Sequence, residues 1–181
     1  SDVYKRQWYL VSQSERVRKK FHAELDARGA PKTYQDVRGL TVTRTIIEET
    51  LRLYPPVPML GRQALADAKV GKTHIKKGSL VLVSPFMLQR KDALFSMPNH
   101  FIPERFDDAH ATRPEKYEYV PFAVGPRICP GLTFGQTEAI ICMAKLGSRF
   151  DPVLAPGQNV QEQCRLTLRP GETLPMQLVR R

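Results

Sequence analysis

Between Pro121 and Gly131 the chain can be neither a regular helix nor a strand. Prolines at 121, 126 and 130 and glycines at 125 and 131 interrupt both hydrogen-bond patterns. A helical pattern follows at once, from about Leu132 to Arg149, with Ile140, Ile141, Ala144 and Leu146 as its apolar body. The segment is therefore a loop that delivers one cysteine, Cys129, to the head of a long helix. Free N–H groups and the positive end of a helix dipole favour a thiolate there. Backbone N–H groups can also point at the sulfur and temper its electron density. Gly125 and Gly131 let the backbone approach something bulky and flat. Arg127 can reach an anionic group on the same object.

The rest of the chain bounds the class of protein. Its 181 residues suffice for one domain, or part of a larger one, with a core that needs no disulfide staples. Cys142 and Cys164 read as small buried hydrophobes, and three scattered cysteines make no disulfide framework, which fits a reducing compartment. The longest apolar runs, such as Leu80 to Val83, are too short to cross a bilayer, and no secretory signal is visible. A net charge of +10 implies an acidic partner or surface. No basic run exceeds three residues, the longest being Arg18-Lys19-Lys20, so no nucleic-acid arm is expected.

Residues 1–7, SDVYKRQ, resemble the translation of a sequencing-adaptor remnant and are set aside; with no initiator Met, the natural protein is expected to begin upstream. Periodicity predicts one helix from Trp8 to Arg28, ended by Gly29 and Pro31. Thr33 to Asp36 has the form of a capping box. A second strong helix runs from about Thr41, with Val42, Ile46, Thr50 and Leu53 on one face, until Pro55-Pro56 stops it. Pro55 to Arg62 runs extended. Val70 to Val83 reads as strands around a turn at Lys76-Lys77-Gly78, with Leu80 to Val83 buried. Ser84 to Asp107 is short helix and meander, and Asp108 to Glu118 is polar. The tail suggests a hairpin: Cys164 to Leu168, a turn at 169–172, then Leu174 to Val179.

Two further patterns carry chemistry. Glu49 and Arg52 are three apart and share a helical face. Pro103-Glu104-Arg105-Phe106 follows. Each is weak alone, since exposed ion pairs contribute little. With the loop Phe122/Gly125/Arg127/Cys129/Gly131 and in this order, they resemble the cytochrome P-450 superfamily of haem-thiolate monooxygenases. That family shows E-x-x-R, then P-E-R-F, then F-x-x-G-x-R-x-C-x-G. Leu53 to Pro58, Phe134 and Glu138 also match.

The resemblance implies a mainly helical α+β fold with small sheets, of which residues 8–181 are the C-terminal haem-binding part. It implies haem b as cofactor, with Cys129 as catalytic residue and axial ligand of the iron, favouring O–O cleavage. Arg127 and Arg62 would pair with haem propionates, Phe122 would pack beside the sulfur, and Gly131 would give the haem room. Glu49, Arg52 and Arg105 would form a buried ion network that sets registry more than raw stability. Ala123 and Gly135 replace the commoner Gly and Ala, a minor departure, and Gln89 stands where many relatives carry His before Arg90. The long central helix with its acid–alcohol pair lies outside this chain.

The implied function is O2- and NAD(P)H-dependent oxidation of an apolar substrate through an acidic redox partner, a flavoprotein reductase or a ferredoxin. Arg127 in place of His, with Pro103 to Phe106, resembles the microsomal and fused-reductase branches. Some of Lys116, Lys145 and Arg149, near the cysteine loop in sequence or on the helix after it, should face the partner. Peroxide-using or hydroperoxide-rearranging chemistry, or an inactive haem-binding fragment, are the alternatives. The resemblance leaves the location open between the cytoplasm and a membrane reached through an N-terminal anchor outside this chain.

Overall fold

The computed structural model describes residues 2–109, 113–171 and 173–181. The chain opens with α1 (Asp2–Ser12) and α2 (Glu15–Arg28), where periodicity predicts a single helix. Ser14 makes the break. Its backbone is extended and its hydroxyl accepts the Val17 N–H at 3.4 Å, which starts a new helix. The turn brings Trp8 edge-on to Phe21, ring centres 5.8 Å apart. Arg6 lies over the Tyr54 ring at 4.0 Å, while Gln7 is buried with neither amide atom bonded.

α3 (Tyr34–Gly39) starts at the expected capping box, in which Thr33 Oγ1 accepts from Asp36 N and Asp36 accepts from Thr33 N. α4 (Thr41–Leu53) has no side-chain cap of its own. Glu24 of α2 supplies one, its carboxylate accepting the N–H groups of Val42 and Thr43 at 2.7 and 2.8 Å and the Thr43 hydroxyl at 2.7 Å. Tyr54, held out of the helical region before Pro55, ends α4. Ten of its thirteen residues are buried, more than the one face predicted.

Four short sheets follow, each of two antiparallel strands. β1 (Leu60–Gln63) pairs with β4 (Leu80–Val83), and β2 (Ala68–Val70) with β3 (Thr73–Ile75). The turn at 76–78 is present, but the strands on either side of it belong to different sheets. Leu80 to Val83 is a strand but not a buried one. Leu80 is 67% and Leu82 54% exposed, because a two-stranded ladder supplies no second layer to cover them. α5 (Pro85–Leu88) and a 3-10 turn at Pro103–Phe106 punctuate the meander.

α6 (Leu132–Gly147) then crosses the core. Its inward stripe is Ala139, Ile140, Met143, Ala144 and Gly147, so Leu146 points outward, against expectation. Phe21 and Leu25 of α2 and Ile46, Ile47 and Leu51 of α4 meet that stripe. The tail hairpin differs from the prediction. β5 (Phe150–Leu154) pairs with β8 (Met176–Arg180), and β6 (Gln163–Cys164) with β7 (Leu168–Arg169). Pro152 hides β5 in the sequence, yet a strand with a single neighbour can spare one N–H. Cys142 is half-buried and Cys164 exposed on the surface ladder β6–β7, so neither is the fully buried hydrophobe expected. Positions 110–112 of the polar stretch and Glu172 of the expected turn lie outside the described residues, as does Ser1 of the segment 1–7.

Gly147 is where α6 meets Phe21 most closely. A Cβ there would stand 2.5 Å from the ring. Gly147→Ala should therefore destabilise the intact protein by about 1–3 kcal/mol. Gly135→Ala, on the same helix with nothing within 4 Å of its Cβ, should be neutral or stabilising. Thermal melts of the two variants check the contrast.

Candidate haem-thiolate site

The cysteine loop is closed by its own backbone. The Ala123 N–H bonds to the Val120 carbonyl at 3.2 Å, and the Cys129 N–H returns to the Phe122 carbonyl at 2.9 Å. Between them lies a 3-10 turn, Gly125–Arg127, entered with Gly125 at φ +73°. Only a glycine adopts that conformation without strain. Ala123 adopts a similar one, φ +61°, so its place in the loop is not a minor departure. The side chain there costs about 1–2 kcal/mol against the backbone.

The loop leaves Cys129 exposed just before Gly131, the N-cap of α6. A Cβ on Gly131 would stand 3.8 Å from the sulfur and begin to cover it. Backbone N–H groups could point at the sulfur on the sequence reading, but among the described residues none donates to Sγ. Phe122 is half-buried and leans on the core. Ile128 and Phe134, beside the cysteine in sequence, are 50% and 75% exposed. A concavity of about 340 Å³ opens along the loop, lined by Lys116, Phe122, Ile128 and Gln136 among others.

Arg127 is exposed and makes no hydrogen bond or ion pair with the described residues. Arg62, on β1 opposite Val81, donates only to the Gly61 carbonyl at 2.8 Å. Neither arginine is bonded to Cys129; one sits on a strand and the other on the loop. By contrast, Arg16, Arg44, Arg52, Arg105, Arg113 and Arg181 all reach carboxylates. Two guanidinium groups with no carboxylate partner among the described residues, an exposed thiol and exposed apolar side chains suit a flat apolar group carrying carboxylates. Among the described residues no cluster of three or more His, Cys, Asp or Glu side chains is assembled. Cys129 would suit a metal that another group already holds, as a porphyrin holds iron.

Glu49, Arg52 and Arg105 come together as expected from the sequence. Glu49 and Arg52 are fully buried and Arg105 nearly so. The Arg52 Nε and Nη2 donate to the two Glu49 oxygens at 2.7 and 2.9 Å. Nη1 donates to the carbonyls of Gln89 and Pro98, both at 2.7 Å, and Nη2 to that of His100 at 3.1 Å. Five bonds use every donor a guanidinium has. Glu49 Oε1 also accepts the Ile102 N–H at 2.9 Å and Arg105 Nε at 3.4 Å. Glu104, next to Arg105, faces the other way, to Arg16 and Lys20 of α2. Burial opposes its ionisation, but hydrogen bonds from those two cations outweigh it and hold the carboxyl down to about 2.

Sequence reasoning missed three groups. Glu48, 5% exposed, pairs with Arg44 and Arg113; burial nonetheless pushes its carboxyl upward. The i, i+4 spacing of Arg44 and Glu48 was a signal for it. Tyr119 donates to the Glu48 carbonyl at 3.1 Å and packs its ring on Phe106, 4.7 Å between centres. The role of Gln89 is the third. Its amide joins α4 to Val120 at the loop entry.

The fold and site thus present one exposed cysteine, in a loop closed by its own backbone, at the head of α6. The cytochrome P450 family profile matches residues 8–174, and the chain belongs to that family. It is 32% identical to cyclooctatin synthase of Streptomyces melanosporofaciens over 91% of this chain and 36% of that protein. It is 33% identical to cytochrome P450 4d2 of Drosophila melanogaster, over 89% of the chain and 33% of the relative. With human cytochrome P450 4V2 it shares 33% over 96% of the chain and 34% of the relative. The chain spans about a third of the length of these relatives.

Two expected outcomes follow from this geometry. Glu49→Ala leaves Arg52 and Arg105 without their carboxylate and should destabilise the intact protein by roughly 3–5 kcal/mol, with loss of bound haem. Denaturant unfolding and haem content measure it, and normal values for both would show an incidental bridge. Ala123→Gly releases the left-handed strain of about 1–2 kcal/mol but adds unfolded-chain entropy worth about 0.5–1. A net gain of a few tenths to about 1 kcal/mol is expected in the same assay.

Proposed function

We propose that residues 8–181 form the C-terminal, cysteine-side part of a monooxygenase that oxidises an apolar organic substrate with O2 and NAD(P)H. On this reading residues 1–7 are a sequencing-adaptor remnant. Haem b, when bound, supplies the redox chemistry of oxygen activation. Cys129 is its axial ligand, Arg62 and Arg127 hold its propionates, and Phe122 and Gly131 flank it. Glu49, Arg52 and Arg105 hold the segments around the loop in register. The observation that carries the reading is the loop that turns back on Phe122 and presents an exposed sulfur at the head of α6.

Electrons reach the thiolate side from an acidic redox partner, a flavoprotein reductase or a ferredoxin. Lys116 lines the concavity along the cysteine loop, while Lys145 and Arg149 are exposed at the far end of α6; such surface cations suit an acidic partner. Among the described residues no helix is long and apolar enough to cross a membrane.

The test is spectroscopic. In the intact protein, Cys129→Ser should abolish the thiolate signature of the ferrous–CO state, whereas Cys142→Ser and Cys164→Ser should keep it. Arg62→Ala and Arg127→Ala should each speed haem transfer to an apo-acceptor. An unchanged Cys129→Ser spectrum would overturn the ligand assignment.

A further inference from the structure

Gln89 is fully buried at the C-cap of α5, and its amide bonds at both ends. Nε2 donates to the Arg52 carbonyl at 2.9 Å and to the Leu51 carbonyl at 3.3 Å. Oε1 accepts the Val120 N–H at 2.7 Å. The Gln89 main-chain carbonyl also accepts from Arg52 Nη1. Val120 precedes Pro121 and Phe122, and the Phe122 carbonyl holds the Cys129 N–H. A run of hydrogen bonds and short chain segments therefore links the buried Glu49–Arg52 pair to the cysteine backbone.

The local bonding leaves little else to hold the loop entry. Val120 is 5% exposed, so its N–H has no access to bulk water if the amide is removed. Pro121, Pro126 and Pro130 have no N–H to give. The Tyr119 hydroxyl supplies a second tie to α4, but through a side chain rather than the loop backbone. A buried glutamine that served packing alone would be replaceable by an apolar side chain of like size. This one needs a donor at one end and an acceptor at the other.

We propose that Gln89 is a positioning residue for Cys129: its amide clamps the entry of the cysteine loop to the last turn of α4 and so sets where the sulfur stands. The proposal rests on Cys129 being the axial ligand. Leucine at 89 would fill the volume with neither bond. A neutral histidine can donate from one ring nitrogen and accept at the other, and so can span the same two partners.

The test uses the intact haem-loaded protein, with amide exchange at Val120 and the thiolate fraction of the ferrous–CO spectrum as readouts. In the unaltered protein Val120 should exchange among the slow amides. Gln89→Leu should speed its exchange by about tenfold or more and lower the thiolate fraction, and Gln89→His should restore both. A Val120 amide that exchanges in the unaltered protein as fast as that of exposed Lys72 would overturn the clamp, even if Gln89→Leu fails to fold. Faster Val120 exchange in Gln89→Leu with an unchanged thiolate fraction would overturn the positioning role, as would a histidine variant that behaves like leucine. A Cys129→Ser protein that keeps the thiolate signature would instead overturn the ligand reading, while the exchange data would still report on the clamp.

Discussion

The Glu49–Arg52 pair lies out of water altogether, and the surrounding meander depends on it. Removing two charges from solvent costs several kcal/mol each, so the pair is poor evidence for stability as such. Its value lies in the number of partners it fixes. One guanidinium joins α4 to the carbonyls of Gln89, Pro98 and His100, and one carboxylate adds the Ile102 N–H and Arg105. Residues 89–105 carry only a short 3-10 turn of regular structure at their end, so no ladder could hold them. A buried ion pair with every donor used is a substitute for one, and it tolerates only one arrangement of those segments.

The cysteine loop hangs from this frame. Its own bonds close it on Phe122, but they do not place it; the ties to α4 through Gln89 and Tyr119 do. The same arrangement explains why the sulfur is exposed. α6 buries the stripe from Ala139 to Gly147 against α2 and α4, while its first turn, with Phe134, stays outside that core. The open side carries Cys129, Ile128, Phe134 and Arg127, a set suited to a flat cofactor with anionic edges. The β1–β4 ladder also leaves Leu80 and Leu82 exposed.

What could be read from the sequence was short-range. The Thr33–Asp36 capping box, the stop at Pro55, and the loop that hands Cys129 to α6 depend on residues within one turn of each other, and all three are present. The Glu49–Arg52 spacing placed both side chains on one helical face, so their meeting was legible too. Their burial was expected from the family resemblance and not from the spacing, because it depends on carbonyls 37 and 46 residues further along the chain. Ser14 shows a local signal overruled by a stronger one: the periodicity ran through it, but a serine cap broke the helix.

The sequence by itself therefore determined the chemistry on offer: one cysteine in a loop that cannot be regular, arginines near it, and a charged pair on a strong helix. Tertiary structure alone decided which groups serve that chemistry. Glu24 caps a helix eighteen residues away, β5 finds β8 across the tail, and a glutamine 31 residues before Val120 secures the loop. The physical reason is that caps, turns and helical faces are settled by neighbours in the chain. A buried hydrogen-bonding group must instead take whatever partner the packed core brings to it.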